Sequence, residues 1–330
     1  MNINSMPSIY VVLLNWRDYF DTKECVESLL NSDYLNLTVV IVDNNSQDNS
    51  PTLLKSEFPH IKIIENKTNL GFSGGCNVGI KYSLLSGADF ILLLNNDCIV
   101  EPNFLDSVTD TFFTNSKIGA ITGKILYNHK KNTIWQAGGH INLFKAQGVP
   151  RGLGEIDNGQ FDNICETGWA SGAMSLFPRT TFLKVGMLPE EYFFGNEEWD
   201  FSTAILKNDL KIIYDPQFKS YHKAGGSYKA GHPILNIYGG CLNKMIYAQK
   251  YMHPTMFFLW KRMYWFYLTF LWNSLAKEGC NCIEDYLARK KAAKLAFYDH
   301  KNIKKVTLEV LHNAAKKIGS TPTWNIDWAS

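Results

Sequence analysis

Apolar residues in this chain fall first into short, largely unbroken runs at 9–14, 37–42, 61–64 and 90–94. Each run gives way, at or just beyond its carboxyl end, to a polar residue: Asn15, Asp43, Asn69 and Asp97 in turn. Runs of this length predict strands buried on both faces. Between them the period becomes helical. Cys25, Val26, Leu29 and Leu30 share one face, Asp48-Asn49-Ser50-Pro51 has the form of a helix start, and another helix is expected to end near Ser86. Strands alternating with helices predict right-handed βαβ units in an α/β protein, with a mostly parallel central sheet flanked by helices. Ligands of such sheets bind beyond the carboxyl ends of the strands, so the four polar positions mark the expected crevice.

The chemistry offered at that edge is specific in places. Asp97 ends the most apolar run and is a hard oxygen ligand for a divalent cation. Asp43 can accept from ribose hydroxyls or a pyrimidine N–H. Gly71, Gly74 and Gly75 predict a loop whose backbone approaches a phosphate or a sugar. The glycine spacing is not that of a dinucleotide fingerprint and no P-loop Gly-Lys-Ser/Thr is present, which argues against nicotinamide and ATP sites. Residues 123–160 are Gly-rich and poorly periodic and predict hairpins and loops; residues 212–216 predict a strand and a turn. Further on, Glu197, Glu198 and Asp200 stand among Phe193, Phe194, Trp199 and Phe201. Three carboxylates repel one another, and aromatic surroundings raise a carboxylate's pKa, as a general base for an alcohol requires.

Charge divides the chain. The net charge is +2, yet residues 1–240 carry 19 Lys/Arg against 25 Asp/Glu, whereas 241–330 carry 14 against 6. Aromatic residues crowd 256–272 and basic ones follow to 305, a composition that suits either peripheral contact with an anionic membrane or a packed helical hairpin or homodimer. No nucleic-acid motif accompanies the basic residues, so a nucleic-acid partner is not expected. Seven cysteines without paired metal spacing, and no recognisable signal peptide, predict a cytoplasmic chain, with any membrane contact at the inner face.

Four segments together carry a resemblance: Asn15-Trp16-Arg17, residues 42–50 around Asp43-Asn44-Asn45-Ser46, residues 69–79 around Asn69-Leu70-Gly71-Phe72, and Leu94-Asn95-Asn96-Asp97. In this order they resemble the signatures of family 2 glycosyltransferases, in the rhamnosyltransferase-like branch. The resemblance implies a GT-A nucleotide-diphospho-sugar fold, an inverting reaction and Mg²⁺ or Mn²⁺. It implies donor contacts from Asn15, Asp43, Asn45, Asn69, Gly71, Gly74, Asn77, Asn95, Asn96 and Asp97, and acceptor contacts from Trp169, Ser171, Gly172 and Asp200. Glu198 matches the expected base, with Glu197 the alternative, and His222 joins Asp97 at the metal. The branch favours dTDP-rhamnose as donor, with UDP-hexoses next, and a hydroxyl of a growing cell-surface glycan or lipid-linked saccharide as acceptor. Expected boundaries are a catalytic domain over 1–237, its donor half about 1–125 and acceptor half about 126–237, and a helical extension over 238–330. A non-catalytic nucleotide- or glycan-binding relative and a sugar-nucleotide pyrophosphorylase are the alternatives.

Overall fold

A computed structural model describes residues 6–108, 111, 117–224, 233–277 and 283–319. Cys280, Cys282 and the Trp-containing tail lie outside them. Contacts divide the chain into two compact units: Met1–Ile141, Gly148–Pro189 and Glu197–Gly226 form the first, and Asn142–Gln147, Glu190–Asn196 and Ser227–Ser330 the second. The change therefore falls at Gly226, earlier than residue 237, and the second unit also takes in two short segments from earlier in the chain.

In the first unit, strands β1 (Ile9–Asn15), β2 (Leu37–Asp43), β3 (Lys62–Glu65) and β4 (Phe90–Leu94) alternate with helices α1 (Tyr19–Leu30), α2 (Ser50–Glu57) and α3 (Gly71–Leu85). These strands lie parallel in the order β4-β1-β2-β3. Alternate residues serve opposite faces, which explains the unbroken apolar runs. Ile9, Val11 and Leu13 join Cys25, Val26 and Leu29 of α1 in one core, while Val12 joins Cys76 and Ile80 of α3 in the other.

Beyond β4 the sheet becomes mixed. The chain continues through β5 (Cys98–Val100), β6 (Ile118–Tyr127), β7 (Lys130–Ala137), β8 (Gly139–Asn142), β9 (Gln147–Pro150), β10 (Cys165–Thr167) and β11 (Met174–Pro178), then helices α4 (Arg179–Val185) and α5 (Glu197–Lys207), and β12 (Lys211–His222). Strand β11 enters antiparallel beside β4 and pairs β6 on its other side, completing the order β10-β12-β6-β11-β4-β1-β2-β3. The expected hairpins after residue 123 are present as β6–β7 and β8–β9. The irregular stretch that follows is pinned where Lys124 Nζ meets both carboxylate oxygens of Asp157 at 2.9 Å.

Two local expectations change. The Gly71/Gly74/Gly75 stretch is not a loop: it forms the first turns of α3. A Cβ on Gly75 would lie 2.4 Å from Leu14 Cδ1, and one on Gly79 would lie 2.5 Å from Val12 Cγ1, so these glycines set how closely the helix packs on the sheet. The turn expected at Pro216 is a bulge inside β12, where the register against β6 shifts between Asp215 and Lys219. Proline lacks the donor a regular ladder needs, and the bulge absorbs that loss. The strand therefore runs on to His222.

The second unit is helical: α6 (Pro233–Tyr251), α7 (Pro254–Lys277), α8 (Ile283–Asp299) and α9 (Leu308–Ile318). Within it Tyr238 donates to Asp299 at 2.8 Å, and Asn243 Nδ2 donates to the carbonyls of Phe194 (2.9 Å) and Gly195 (2.8 Å).

Candidate active site

The carboxyl ends of β1, β2 and β4 are joined by a buried polar network. Asn15 donates to Asp43 (2.7 Å), to Ser46 Oγ (3.2 Å) and to Ser50 Oγ (3.1 Å), and accepts from Thr22 Oγ1 (2.9 Å). Asn96 Nδ2 donates to the same threonine at 2.9 Å. Asp43 also accepts from the Ser46 backbone N–H at 2.9 Å. Asn15 and Asp43 are thus buried and hydrogen-bonded within the protein, and these bonds tie the two loops together. Asn44 holds the neighbouring loop in the same way, accepting from Asn66 (3.1 Å) and the Leu70 N–H (3.0 Å) and donating to Asn69 Oδ1 (2.9 Å). Satisfied buried networks of this kind fix loop geometry. Asn45 stands at φ 63° and is half-buried, its side chain outside this network.

Asn77 is buried within α3. Its amide donates to the Leu188 carbonyl and accepts from the Leu188 N–H, both at 3.0 Å, which clamps α3 to the chain after α4. Gly74, inside α3, packs on Leu70.

On the metal side, the register of β12 against β5 sets His222 opposite Cys98, next to Asp97. His222 Nε2 lies 3.0 Å from Asp97 Oδ1 and 3.4 Å from Asn95 Nδ2, and the Trp135 ring packs edge-on at 4.6 Å. Both Asp97 and His222 are buried, and His222 Nδ1 has no hydrogen-bond partner among the described residues. Asp97, Cys98 and His222 present their ligand atoms within 4.8 Å of one another. Cys98 is the weak member, because its thiol donates to the Ala173 carbonyl and burial pushes its pKa far up. A carboxylate oxygen and an imidazole nitrogen that remain fit Mn²⁺ or Mg²⁺ completed by phosphate oxygens and water. Asp18 gives no sign of a role in the sequence, since an aspartate opening a helix reads as a cap, and it does accept from Asp21 N. Burial, followed by the charges of Asp21 and Asp97, pushes its carboxyl up to about 6. A negative field of this kind favours a cation.

One peptide stretch links Glu198 to the turn that carries Asp97. Asn95 N donates to the Ala173 carbonyl at 3.0 Å, and the N–H of neighbouring Gly172 donates to Glu198 Oε2 in a short bond. A Cβ on Gly172 would sit 2.9 Å from that oxygen, so glycine is what allows the approach. Glu197, Glu198 and Asp200 occupy the first turn of α5, where the helix dipole favours negative charge. Burial nevertheless pushes Glu198 up to about 7, against the lowering effect of the Gly172 N–H. The Trp169 indole N–H pulls the same way without a well-aligned bond. Glu197 lies on the side of α3, where its charge adds to burial in raising the Cys76 thiol. Asp200 and Ser171 are each 1% exposed, and Ser171 Oγ accepts from Ala173 N at 3.3 Å. Trp169, 6% exposed, stands edge-on to Trp199 with ring centres 6.1 Å apart. A cavity of about 430 Å³ is lined by His140, Arg151, Glu166 and Thr167 among others, though by none of Trp169, Asp97 and Glu198.

A nucleotide-sugar-type crevice, a paired carboxylate and imidazole, and a carboxylate of raised pKa define a transferase of the GT-A fold. The Glycosyl transferase family 2 model matches residues 8–180, more than half of the chain, and the chain belongs to that family. Its relatives include the dTDP-rhamnosyl transferase RfbF of Shigella flexneri, 22% identical over 66% of this chain and 70% of the relative. They also include the N-acetylglucosaminyl-diphospho-decaprenol L-rhamnosyltransferase of Mycobacterium tuberculosis, 21% identical over 56% of this chain and 66% of the relative. An uncharacterized glycosyltransferase of Haemophilus influenzae is 30% identical, with the match spanning 35% of each chain. In fold the chain is similar to a mannosyltransferase from Pyrobaculum calidifontis in complex with GDP-Man and Mn²⁺ (TM-score 0.56, 14% identity, covering 96% and 88% of the two chains). It is also similar to S. aureus TarS 1-349 (TM-score 0.52, 13% identity, 94% and 88%).

Proposed function

We propose that this protein transfers a sugar, with inversion, from a nucleotide-diphosphate donor to a hydroxyl of a growing surface glycan or a lipid-linked saccharide. The observation that carries the reading is Glu198: a carboxylate pushed up to about 7, held by Gly172 N–H, one residue along from the Ala173 carbonyl that binds the Asn95-Asn96-Asp97 turn. A base near neutrality can be ionised before attack and still accept a proton from an alcohol. Asp97 and His222 would hold Mg²⁺ or Mn²⁺, which when bound supplies Lewis-acid neutralisation of the leaving diphosphate.

In the reaction, Glu198 takes the acceptor O–H proton as the oxygen forms its bond to the anomeric carbon. The bond from that carbon to the diphosphate oxygen breaks on the opposite face, and the nucleoside diphosphate leaves. Names of the relatives favour dTDP-rhamnose, with UDP-hexoses second. The cavity lined by His140, Arg151, Glu166 and Thr167 offers room for further units of the acceptor.

The test is Glu198→Gln, assayed with dTDP-rhamnose and UDP-hexoses by release of nucleoside diphosphate. Turnover falls by about 10²- to 10⁴-fold while donor affinity stays within a few fold. Turnover close to that of the parent would move the base to another residue, and release of pyrophosphate would replace transfer with a pyrophosphorylase reaction.

A further inference from the structure

Helix α7 packs on α8 through Tyr264 and Trp265, whose ring centres lie 5.7 and 5.1 Å from that of Phe297. Lys261 stands one turn before them and so shares the packed side of the helix. Its Nζ lies 3.4 Å from Nε2 of His300, the residue that follows α8, and 5.8 Å over the Phe257 ring. His300 is 4% exposed, and its Nδ1 donates to the Phe297 carbonyl, which leaves Nε2 to accept from Lys261. The turn after His300 is closed by the Asn302 and Ile303 N–H groups, each 2.9 Å from the Asp299 carbonyl, and it carries Lys301 and Lys304 as exposed residues.

The charges acting most strongly on this pair are all positive. Burial, then the charges of Lys301 and Arg262, hold the Lys261 ammonium below its ordinary pKa. Burial also holds His300 low, and Lys261, Lys301 and Lys304 add to it against the raising effect of the Phe297 carbonyl. Carboxylates of the adjoining segments are engaged elsewhere: Asp299 accepts from Tyr238 at 2.8 Å and has Lys317 at 3.9 Å, and Glu190 meets Lys305 at 3.0 Å. Lys261, Lys301 and Lys304 have no carboxylate partner among the described residues. Three like charges gathered about a buried imidazole cost energy until an anion joins them.

We infer that Lys261, Lys301 and Lys304, beside His300, form a binding site for a phosphate group, free or carried as a monoester. Such a group brings a charge of about −1.5 to −2 and three acceptor oxygens, enough for several ammonium donors, whereas a carboxylate brings a single charge. Lysines act here as point charges on flexible stems, so the two exposed ones can close on the ligand while Lys261 is fixed by His300. The site lies wholly within the helical unit and does not rest on the transfer reading.

The experiment is calorimetric titration of the full chain with sodium phosphate at about pH 8, where phosphate is largely dianionic, and with sodium acetate at matched ionic strength, in buffer free of metal and sugar donor. Phosphate binds, acetate does not, and the His300 ring signals in NMR spectra move as phosphate saturates. Lys301→Ala with Lys304→Ala weakens phosphate binding by about tenfold or more, the loss of charge-assisted bonds, and Lys301→Arg with Lys304→Arg retains it. Both positions are exposed, so an unchanged melting temperature without phosphate shows that the variants fold. A second arm, sedimentation with phosphatidylcholine vesicles with and without phosphatidic acid, identifies the source. Recovery that requires phosphatidic acid and is lost in the alanine pair makes the ligand a lipid headgroup, whereas binding of free phosphate without such recovery makes it a soluble phosphate compound; either result supports the site. Equal binding of acetate, an alanine pair that binds like the parent, or no binding of phosphate in either form would overturn it.

Discussion

At the scale of single residues, the polar positions after the strands differ in how their side chains are partnered within the protein, and we propose that this difference separates those that hold the crevice from those that act in it. Asn15 and Asp43 face inward, Asn77 grips Leu188, and Asp97 and His222 remain as a buried pair with one ring nitrogen unpartnered among the described residues. The two roles predict different losses. Asp97→Asn and His222→Ala should each weaken Mn²⁺-dependent nucleotide binding by at least about tenfold, the loss that even an outer partner of a metal ligand causes. Calorimetry of UDP, dTDP and GDP with and without Mn²⁺ reads this directly, and a metal-dependent affinity unchanged by either substitution would remove the pair from the donor site. The sequence made the Asp97 position legible because an oxygen ligand closely follows a fully apolar strand. It hid the division of labour, since an asparagine that touches a ligand and one that ties two loops look alike until their partners are known. Asp18 was hidden for a related reason: its raised pKa owes as much to folding, which buries it and brings Asp97 near, as to its chain neighbour Asp21.

At the scale of elements, periodicity revealed the parallel half and missed the irregular half. Strands β1, β2 and β4 are marked by largely unbroken apolar runs, whereas β12 contains Pro216 and a bulge that only pairing with β6 makes favourable. That bulge depends on Gly123. A Cβ there would lie 1.7 Å from the Phe218 carbonyl oxygen and 2.4 Å from Met174 Cε, and the backbone oxygen cannot step aside as a side chain would. Gly123→Ala should therefore destabilise by at least about 1–3 kcal/mol, the usual cost of overfilling a packed site. It should also impair metal-dependent binding, because His222 reaches Asp97 only through the strand beyond the bulge. Gly79→Ala provides the contrast: its Cβ meets Val12 and Val42 side chains, so it should lower denaturant stability without a separate loss of metal affinity. Equal metal binding in Gly123→Ala and the parent would show that the bulge does not control His222.

For the whole molecule, Glu198 links the chemistry to the pH dependence of the fold. Its carboxyl moves from 4.5 to about 7 chiefly by burial, so between these pH values the folded protein binds more protons at this site than the unfolded chain does. Stability contributed by the protonated acid is thus complete below about pH 4.5 and is lost as pH rises through about 7. Above that, the buried charge costs on the order of 2 kcal/mol, allowing for the side chain's partial contact with water. On the proposed mechanism turnover follows the opposite course, because the ionised form would be the base, and kcat/KM should rise through an acid limb near pH 7. Glu198→Gln separates the two effects. It keeps an oxygen for Gly172 N–H but cannot ionise, so it should unfold at higher denaturant concentration than the parent at pH 8, match the parent near pH 4.5, and have lost the acid limb along with most of its turnover. A variant less stable than the parent at both pH values would mean that the carboxylate is held chiefly for structure, and the base would then have to be sought at Glu197.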